Sequence, residues 1–120
     1  MIAEFVTHGD VLVARFQIGR LDASIAREAK RELIERAQAA DACLLLNCKN
    51  VEFVDSSGLG VLISVLKLVG ARPLAFSFSV SDLRPPVMQL LKLTRLDRVI
   101  TIWPTEADGV SEINAEQSRP

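Results

Sequence analysis

The chain alternates between two hydrophobic periodicities, which predicts strands interleaved with helices. Runs of apolar and β-branched residues, typical of strands, follow short turns that contain glycine, aspartate or proline. Between these runs the period changes. In the segment 24–39, Ile25, Ala29, Leu33 and Ala37 recur every four residues, while most charged side chains fall on the other side. This spacing predicts an amphipathic helix with a solvated polar face.

The order of the predicted elements indicates an α/β domain. Strands are predicted at 2–7, 11–18, 43–48, 74–80 and 98–103. The first helix is predicted at 24–39, capped by Asp22 or Ser24, and the second runs from the 55–60 segment to about 69. The third begins at Ser81 or Asp82, with Pro85 and Pro86 in its first turn, and the fourth makes one or two turns over 105–110. The order β-β-α-β-α-β-α-β-α favours a mixed, mostly parallel sheet of four to five strands with about four helices. We expect a domain at 1–110 and a flexible tail at 111–120.

The segment from Asp55 to Gly60 is predicted to lie where function is usually found. Right-handed crossovers place helix N-termini along one edge of a parallel sheet, and unpaired N–H groups there favour an anion. A phosphate on Ser56 would be accommodated by these donors and would add roughly −1.5 to −2 charges beside Asp55. On spacing alone, Asp55, Ser56 and Ser57 are better explained as ordinary helix caps, with glycines that only tighten a turn.

The amino-acid composition reduces the number of functions that the chain can have. Of the 120 residues, 49% are hydrophobic and 24% are charged, which excludes a disordered chain. The formal net charge of −1 provides no global basic field, so we expect no direct nucleic-acid binding and no membrane insertion. The start of the chain lacks the basic and long apolar regions of a signal peptide, and we expect a cytoplasmic protein.

The residues offer little support for catalysis. His8 is the only histidine, so a nucleophilic serine would lack an obvious base. His8, Cys43 and Cys48 are too few for a zinc site, and Gly58-x-Gly60 lacks the lysine of a phosphate-binding loop. In one strand the two cysteines would lie about 16 Å apart, too far for a disulfide. We therefore expect no enzymatic activity, no metal and no cofactor.

The chain resembles the STAS domain of bacterial anti-sigma factor antagonists. The resemblance rests on the segment Asp55–Gly60 (Asp-Ser-Ser-Gly-Leu-Gly), on the turn Gly19–Asp22 (Gly-Arg-Leu-Asp), and on the segment Leu90–Ile100. It covers about residues 1–110 and presents the motifs in the family's order. The resemblance implies a STAS-like fold for the predicted mixed sheet.

The resemblance also implies a phosphorylation switch. In the family, the unphosphorylated antagonist binds an anti-sigma factor, which is also a serine kinase of the histidine-kinase-like ATPase type, and so releases the sigma factor. The kinase phosphorylates the serine that follows the motif's aspartate, here Ser56, and a PP2C-type phosphatase restores binding. The residues implied in partner binding are Asp22, Asp55, Ser56, Ser57, Gly58, Leu59 and Gly60. A monomer or weak dimer is expected.

The chain departs from the family pattern at two places, and the departure at Arg20 bears on the choice of partner. Arg20 stands where glutamate or another residue is frequent, and Pro85-Pro86 is unusual at the start of the third helix. The same domain also occurs in stressosome subunits, in partner-switching systems that do not control sigma factors, and in lipid-transport complexes. These remain alternatives, although the full Asp55–Gly60 motif favours a phosphorylated switch over a fixed subunit.

Overall fold

The computed structural model, which describes residues 2–120, confirms an α/β fold with four helices and a mostly parallel five-stranded sheet. The strands are β1 (Ala3–His8), β2 (Val11–Phe16), β3 (Arg20–Leu21), β4 (Cys43–Asn47), β5 (Phe53–Val54), β6 (Phe78–Ser81) and β7 (Thr101–Trp103). The helices are α1 (Ala26–Ala40), α2 (Ser56–Leu68), α3 (Pro85–Leu93) and α4 (Glu106–Gln117), with a short 3₁₀ helix at Leu96–Arg98.

The main sheet is built around the apolar strand β4. Its strand order is β1-β2-β4-β6-β7, with β1 antiparallel to β2 and the remaining neighbours parallel. Leu44, Leu45 and Leu46 are fully buried because β4 lies between β2 and β6 and is covered on both faces. The prediction of a central, doubly buried strand at 43–48 is therefore confirmed.

The two faces of the sheet are covered unequally. Side chains from α1, α2 and α3, including Leu33, Val65 and Leu91, form the larger core with one face of the sheet. On the other face, Ile113 of α4 packs with Val11 and other inward-facing residues of β2 and β4 in a smaller core. Alternate residues of each strand serve the two faces, as the pleat requires.

A second, two-stranded parallel sheet is the feature that the sequence did not predict. Strand β3 pairs with β5, and Arg20 lies opposite Phe53 while Leu21 lies opposite Val54. Leu21 is buried, whereas Arg20 and Phe53 are exposed. Strands of two residues are too short to show a periodicity, so only the folded chain reveals that they bring the turn at Asp22 beside the start of α2.

Several element boundaries correct the predictions, and β2, for instance, ends at Phe16 rather than at 18. The strand expected at 74–80 is Phe78–Ser81 in the structure, because the chain before it turns through a left-handed residue, Phe76 (φ 57°). The third helix begins at Pro85 rather than at Ser81 or Asp82, since Ser81 ends β6 and Asp82 is also left-handed (φ 57°). The first helix begins at Ala26 instead of 24, and the last strand begins at Thr101 instead of 98.

The expected flexible tail at 111–120 is also corrected. Helix α4 continues to Gln117 and covers one face of the sheet. Ile113 is fully buried, and the Asn114 side chain bridges the β1–β2 turn by accepting from the Asp10 N–H (2.8 Å) and donating to the His8 carbonyl (3.1 Å). A single isoleucine in a polar segment gave too weak a hydrophobic pattern to predict this helix.

Both cysteines are free and buried, so they are structural side chains of the core. Burial raises the pKa of the Cys48 thiol to about 12 and also raises the pKa of Cys43. Among residues 2–120, no helix is long and apolar enough to cross a membrane.

Candidate functional site

The segment from Asp55 to Gly60 is the cap and first turn of α2. Asp55 has an extended backbone (φ −98°, ψ −171°), and its Oδ1 accepts a hydrogen bond from the Gly58 N–H at 2.9 Å. This side-chain cap satisfies one of the helix's initial donors, and the Leu59 N–H donates to the Asp55 carbonyl at 2.9 Å to begin the regular helix. Asp55 therefore fixes where the helix starts.

The same aspartate joins α2 to the turn after β3. Asp55 Oδ2 accepts a hydrogen bond from the Ala23 N–H at 3.3 Å, and the Asp55 N–H donates to the Leu21 carbonyl at 3.3 Å. Gly58 completes the junction because a Cβ at that position would collide with the Leu21 carbonyl oxygen. The two segments that the sequence analysis singled out thus form one structural unit.

Gly60 differs from Gly58 although both belong to the motif. An added Cβ at Gly60 would meet no atom within 4 Å, and Gly60 is exposed. Gly58 is buried, so its part in this edge is to permit close backbone packing. The glycine that faces solvent leaves open space on the surface of α2.

The Asp22 carboxylate lies in a turn beside the start of α2, where hydrogen bonds favour its ionised form. Its Oδ1 accepts hydrogen bonds from the backbone N–H of Ser24 (3.0 Å) and from the Ser24 hydroxyl, and Arg20 Nε lies 3.5 Å from Oδ2. The Ser24 hydrogen bonds, with a smaller effect of Arg20, lower the pKa of Asp22. The structure corrects the expectation that Asp22 or Ser24 caps α1, because the capping position belongs to Ile25.

Arg20, in strand β3 just before Asp22, stacks on an exposed aromatic ring. Its guanidinium carbon lies 4.1 Å from the centroid of the Phe53 ring, a distance typical of a cation–π contact. The Arg20 side chain is 63% exposed, so its free N–H groups face solvent. Phe53 was not predicted as a site residue, and its only signal in the sequence is its place two positions before Asp55.

Ser56 occupies the exposed first position of α2. Within residues 2–120, no acceptor binds the backbone N–H of Ser56 or Ser57, and the first turn contains no acidic residue. The Ser56 and Ser57 N–H groups at the positive end of α2 are therefore available to an anion, next to the Asp55 carboxylate that caps Gly58. Ser57 and Leu59 are half-buried, and Leu59 packs against the core. Of the motif, Ser56 and Gly60 are the residues presented most fully to solvent.

The arrangement suits covalent addition of charge or docking of a partner better than metal chemistry. Asp22 and Asp55, the residue before Ser56, lie at one edge, and backbone N–H groups donate to both carboxylates. In the described part of the chain, no group of three or more histidine, cysteine, aspartate or glutamate side chains is arranged to hold a metal ion. The edge offers an exposed hydroxyl beside two carboxylates.

Comparison with known proteins places this geometry in context. The family model described as STAS domain matches residues 3–109. An anti-sigma F factor antagonist from Paenibacillus polymyxa is 33% identical over 113 residues, which cover 92% of each chain.

Solved structures share the fold at lower identity. An anti-sigma factor antagonist from Mycobacterium paratuberculosis has a TM-score of 0.79 at 24% identity and covers 92% of each chain. The phosphorylated form of the Bacillus cell fate determinant SpoIIAA has a TM-score of 0.64 at 17% identity, covering 92% of this chain and 98% of the other.

Proposed function

We propose, from the premise that this chain belongs to the STAS domain family of anti-sigma factor antagonists, that it is a partner switch controlled at Ser56. In the unphosphorylated state it binds an anti-sigma factor that is also a serine kinase, and the sigma factor is released. The observation that supports this proposal is the exposed Ser56 hydroxyl at the free positive end of α2, beside Asp22 and Asp55.

The charge of the edge explains how phosphorylation would turn binding off. Asp22 and Asp55 already contribute two carboxylates, and a phosphate on Ser56 adds roughly −1.5 to −2 charges. A partner surface shaped for the neutral hydroxyl would have to desolvate this group without a prepared counter-charge. Such a mismatch weakens binding by several kcal/mol, on the order of a hundredfold or more.

The same helix end lets the antagonist itself tolerate the modification. The open N–H groups of Ser56 and Ser57 and the helix dipole stabilise an anion at this position. The phosphate therefore changes the docking surface while the fold persists. Reversal falls to a PP2C-type phosphatase, and the chain contributes no catalytic group of its own to either reaction.

The test is reconstitution with the cognate kinase. The unphosphorylated full-length chain is used as bait in a lysate of the producing cell, and the recovered kinase is purified and assayed with ATP and magnesium. We expect one phosphate, mapped by mass spectrometry to Ser56, and at least hundredfold weaker binding of the phosphorylated chain. Ser56→Ala should bind without being phosphorylated, and Ser56→Asp should bind more weakly than wild type.

Ser57→Ala is the matched control, because Ser57 is next to Ser56 but is half-buried. We expect it to remain phosphorylatable, at a reduced rate at most. Phosphate mapped to Ser57 would refute the site, and unchanged affinity after modification of Ser56 would refute the mechanism. Stoichiometric recovery with a transporter, with no phosphate on Ser56 in cells, would instead identify a fixed subunit.

A further inference from the structure

The space between α1 and α2 forms a basic groove next to the proposed switch. We define the α1–α2 groove by Arg27 and Lys30 on α1 and by Ser57, Gly60 and Ser64 on α2; its volume is about 310 Å³. It lies open to solvent, because an added Cβ at Gly60 would meet no atom within 4 Å. The groove therefore has room for side chains of another molecule.

The two cations of the groove are left without counter-charges by the fold. In the described part of the chain, no carboxylate oxygen lies within 4.0 Å of Arg27 or Lys30. The next basic residue on this face, Arg31, is paired with Glu35 at 3.9 Å. A guanidinium, an ammonium and two serine hydroxyls thus provide donors with no acid among the lining residues.

The groove is continuous with the edge that carries the switch. Ser57 and Gly60 belong both to the motif and to the groove, and Asp55, which accepts from the Ala23 N–H, directly precedes Ser56. The edge therefore carries the Asp22 and Asp55 carboxylates with Arg20 at the β3 turn, and the cations Arg27 and Lys30 between the helices, although the whole chain has a net charge of only −1. Separated patches of opposite sign fix the orientation of a docking partner.

We infer that the α1–α2 groove receives an acidic segment of the anti-sigma factor that docks on the switch. This inference rests on the proposed function and adds to it the chemistry of the partner. Carboxylates of the segment pair with Arg27 and Lys30, which lack internal partners. Binding at the groove positions the partner over Ser56, where the neutral hydroxyl is compatible with contact and the phosphate is not.

The first experiment measures binding of the purified kinase to full-length variants at low and high salt. We expect Arg27→Glu and Lys30→Glu each to weaken binding about tenfold or more at low salt, with a smaller difference in 0.5 M NaCl because salt screens exposed charges. Lys92→Glu, which reverses an exposed charge on α3, should bind as wild type.

A matched pair of substitutions at Gly60 distinguishes the effect of charge on kinase binding from the effect of side-chain size. Gly60→Glu and Gly60→Gln add side chains of the same size into the open groove, so both should fold. The glutamate also supplies the carboxylate that we assign to the partner. We expect Gly60→Glu to bind the kinase at least tenfold more weakly than Gly60→Gln. Equal affinities of this pair, or wild-type affinity of Lys30→Glu, would overturn the inference while leaving the Ser56 switch intact.

A second experiment tests the groove without the kinase. The ¹⁵N-labelled full-length chain is titrated with a synthetic amphipathic helical peptide of leucine and glutamate, and with the same peptide carrying lysine for glutamate. We expect amide shifts at 26–31 and 57–64 with the acidic peptide only, and their loss in Lys30→Glu. Shifts elsewhere, or equal shifts with both peptides, would overturn the inference. Shifts at these residues on raising the concentration of the chain alone would assign the groove to self-association and would also overturn it.

Discussion

Helices α2 and α4 begin in closely similar ways on opposite faces of the sheet. Each follows a short strand and starts at a side-chain cap: Asp55 accepts from the Gly58 N–H at 2.9 Å, and Thr105 accepts from the Asp108 N–H at 3.1 Å. Each also contains a glycine pressed against a neighbour. Gly58 faces the Leu21 carbonyl, and an added Cβ at Gly109 in α4 would lie 2.6 Å from the Trp103 ring.

The two helix ends differ in how their positive dipole is used. The first turn of α4 contains Glu106, whose carboxylate accepts hydrogen bonds from Arg15 Nε at 2.9 Å, from a second Arg15 nitrogen at 2.8 Å and from Asn47 at 3.0 Å. The first turn of α2 contains exposed Ser56 and no acid. At α4 the first turn already contains a carboxylate of the fold, Glu106, whereas at α2 the Asp55 carboxylate engages Gly58 and Ala23 and leaves the Ser56 and Ser57 N–H groups for added charge.

The largest expected difference in stability is between alanine substitutions at the two glycines of the Asp55–Gly60 motif. Gly58→Ala forces a backbone shift between α2 and β3, and we expect a cost of about 1–3 kcal/mol, or roughly 5–15 °C in Tm. Gly60→Ala adds a methyl group to open helix surface and should stabilise the chain by about 0.5–1 kcal/mol. Urea unfolding of both variants measures the contrast, and effects of the same sign would contradict this assignment of the glycines.

The next prediction concerns the occupied end of α4. Glu106→Gln leaves Arg15 with a weaker partner and should cost about 1–2 kcal/mol at pH 7. The Arg15 hydrogen bonds lower the pKa of Glu106 in the folded chain below its ordinary value of 4.5. A depressed folded pKa contributes stability that is complete above the unfolded value and is lost as the pH falls through the folded value.

The difference between wild type and Glu106→Gln should therefore be constant from pH 6 to 8 and should shrink below about pH 4.5. Denaturant titrations across this range measure it. Ser56→Ala is the control at the other helix end, because it removes no titrating group of the unmodified chain. A Glu106→Gln deficit that persists undiminished at pH 2 would rule out the ion pair as its source.

The caps of the two helices provide a smaller contrast. Thr105→Ala removes one capping hydrogen bond and should cost about 1 kcal/mol. Asp55→Ala removes the cap to Gly58 and the contact with the Ala23 N–H, so we expect about 1–2 kcal/mol. Asp55→Asn retains an acceptor and should recover part of the loss. Thermal unfolding distinguishes them, and an equal cost for both alanine variants would mean that the Ala23 contact contributes nothing.

The sequence predicts those features that repeat over several residues. The α1 periodicity, the apolar run of β4 and the capping residues at Asp55–Gly60 each reflect a local preference, and the sheet with four helices follows from their order. The segment 111–117 was misread because its helix is stabilised by tertiary contacts of Ile113 and Asn114 rather than by a pattern of its own.

Contacts of the candidate site that join distant segments could not be read from the sequence. The motifs at Asp22 and Asp55 were found separately, but their connection through two-residue strands and the Ala23–Asp55 hydrogen bond depends on the folded backbone. The stacking of Arg20 on Phe53 has the same origin. Side-chain chemistry is visible in a sequence, whereas the pairing of residues about 30 positions apart is set by packing.

The smallest effect tests the open end of α2 directly. Phosphoserine incorporated at position 56 of the full-length chain should stabilise it by about 0.3–1 kcal/mol at low salt, through the helix dipole and free N–H groups. Phosphoserine at Ser118, the C-cap of α4, is the matched control and should destabilise the chain, because it adds the same charge at a negative helix end.

The gain in stability from phosphoserine at position 56 should fall in 0.5 M NaCl, since the site is exposed. The gain should be smaller at pH 5 than at pH 7.5, because a phosphate with an ordinary second pKa of about 6 carries less charge at the lower pH. Tm measurements at pH 5 and 7.5 test both signs, and destabilisation at Ser56 equal to that at Ser118 would show that the α2 terminus does not accept the charge.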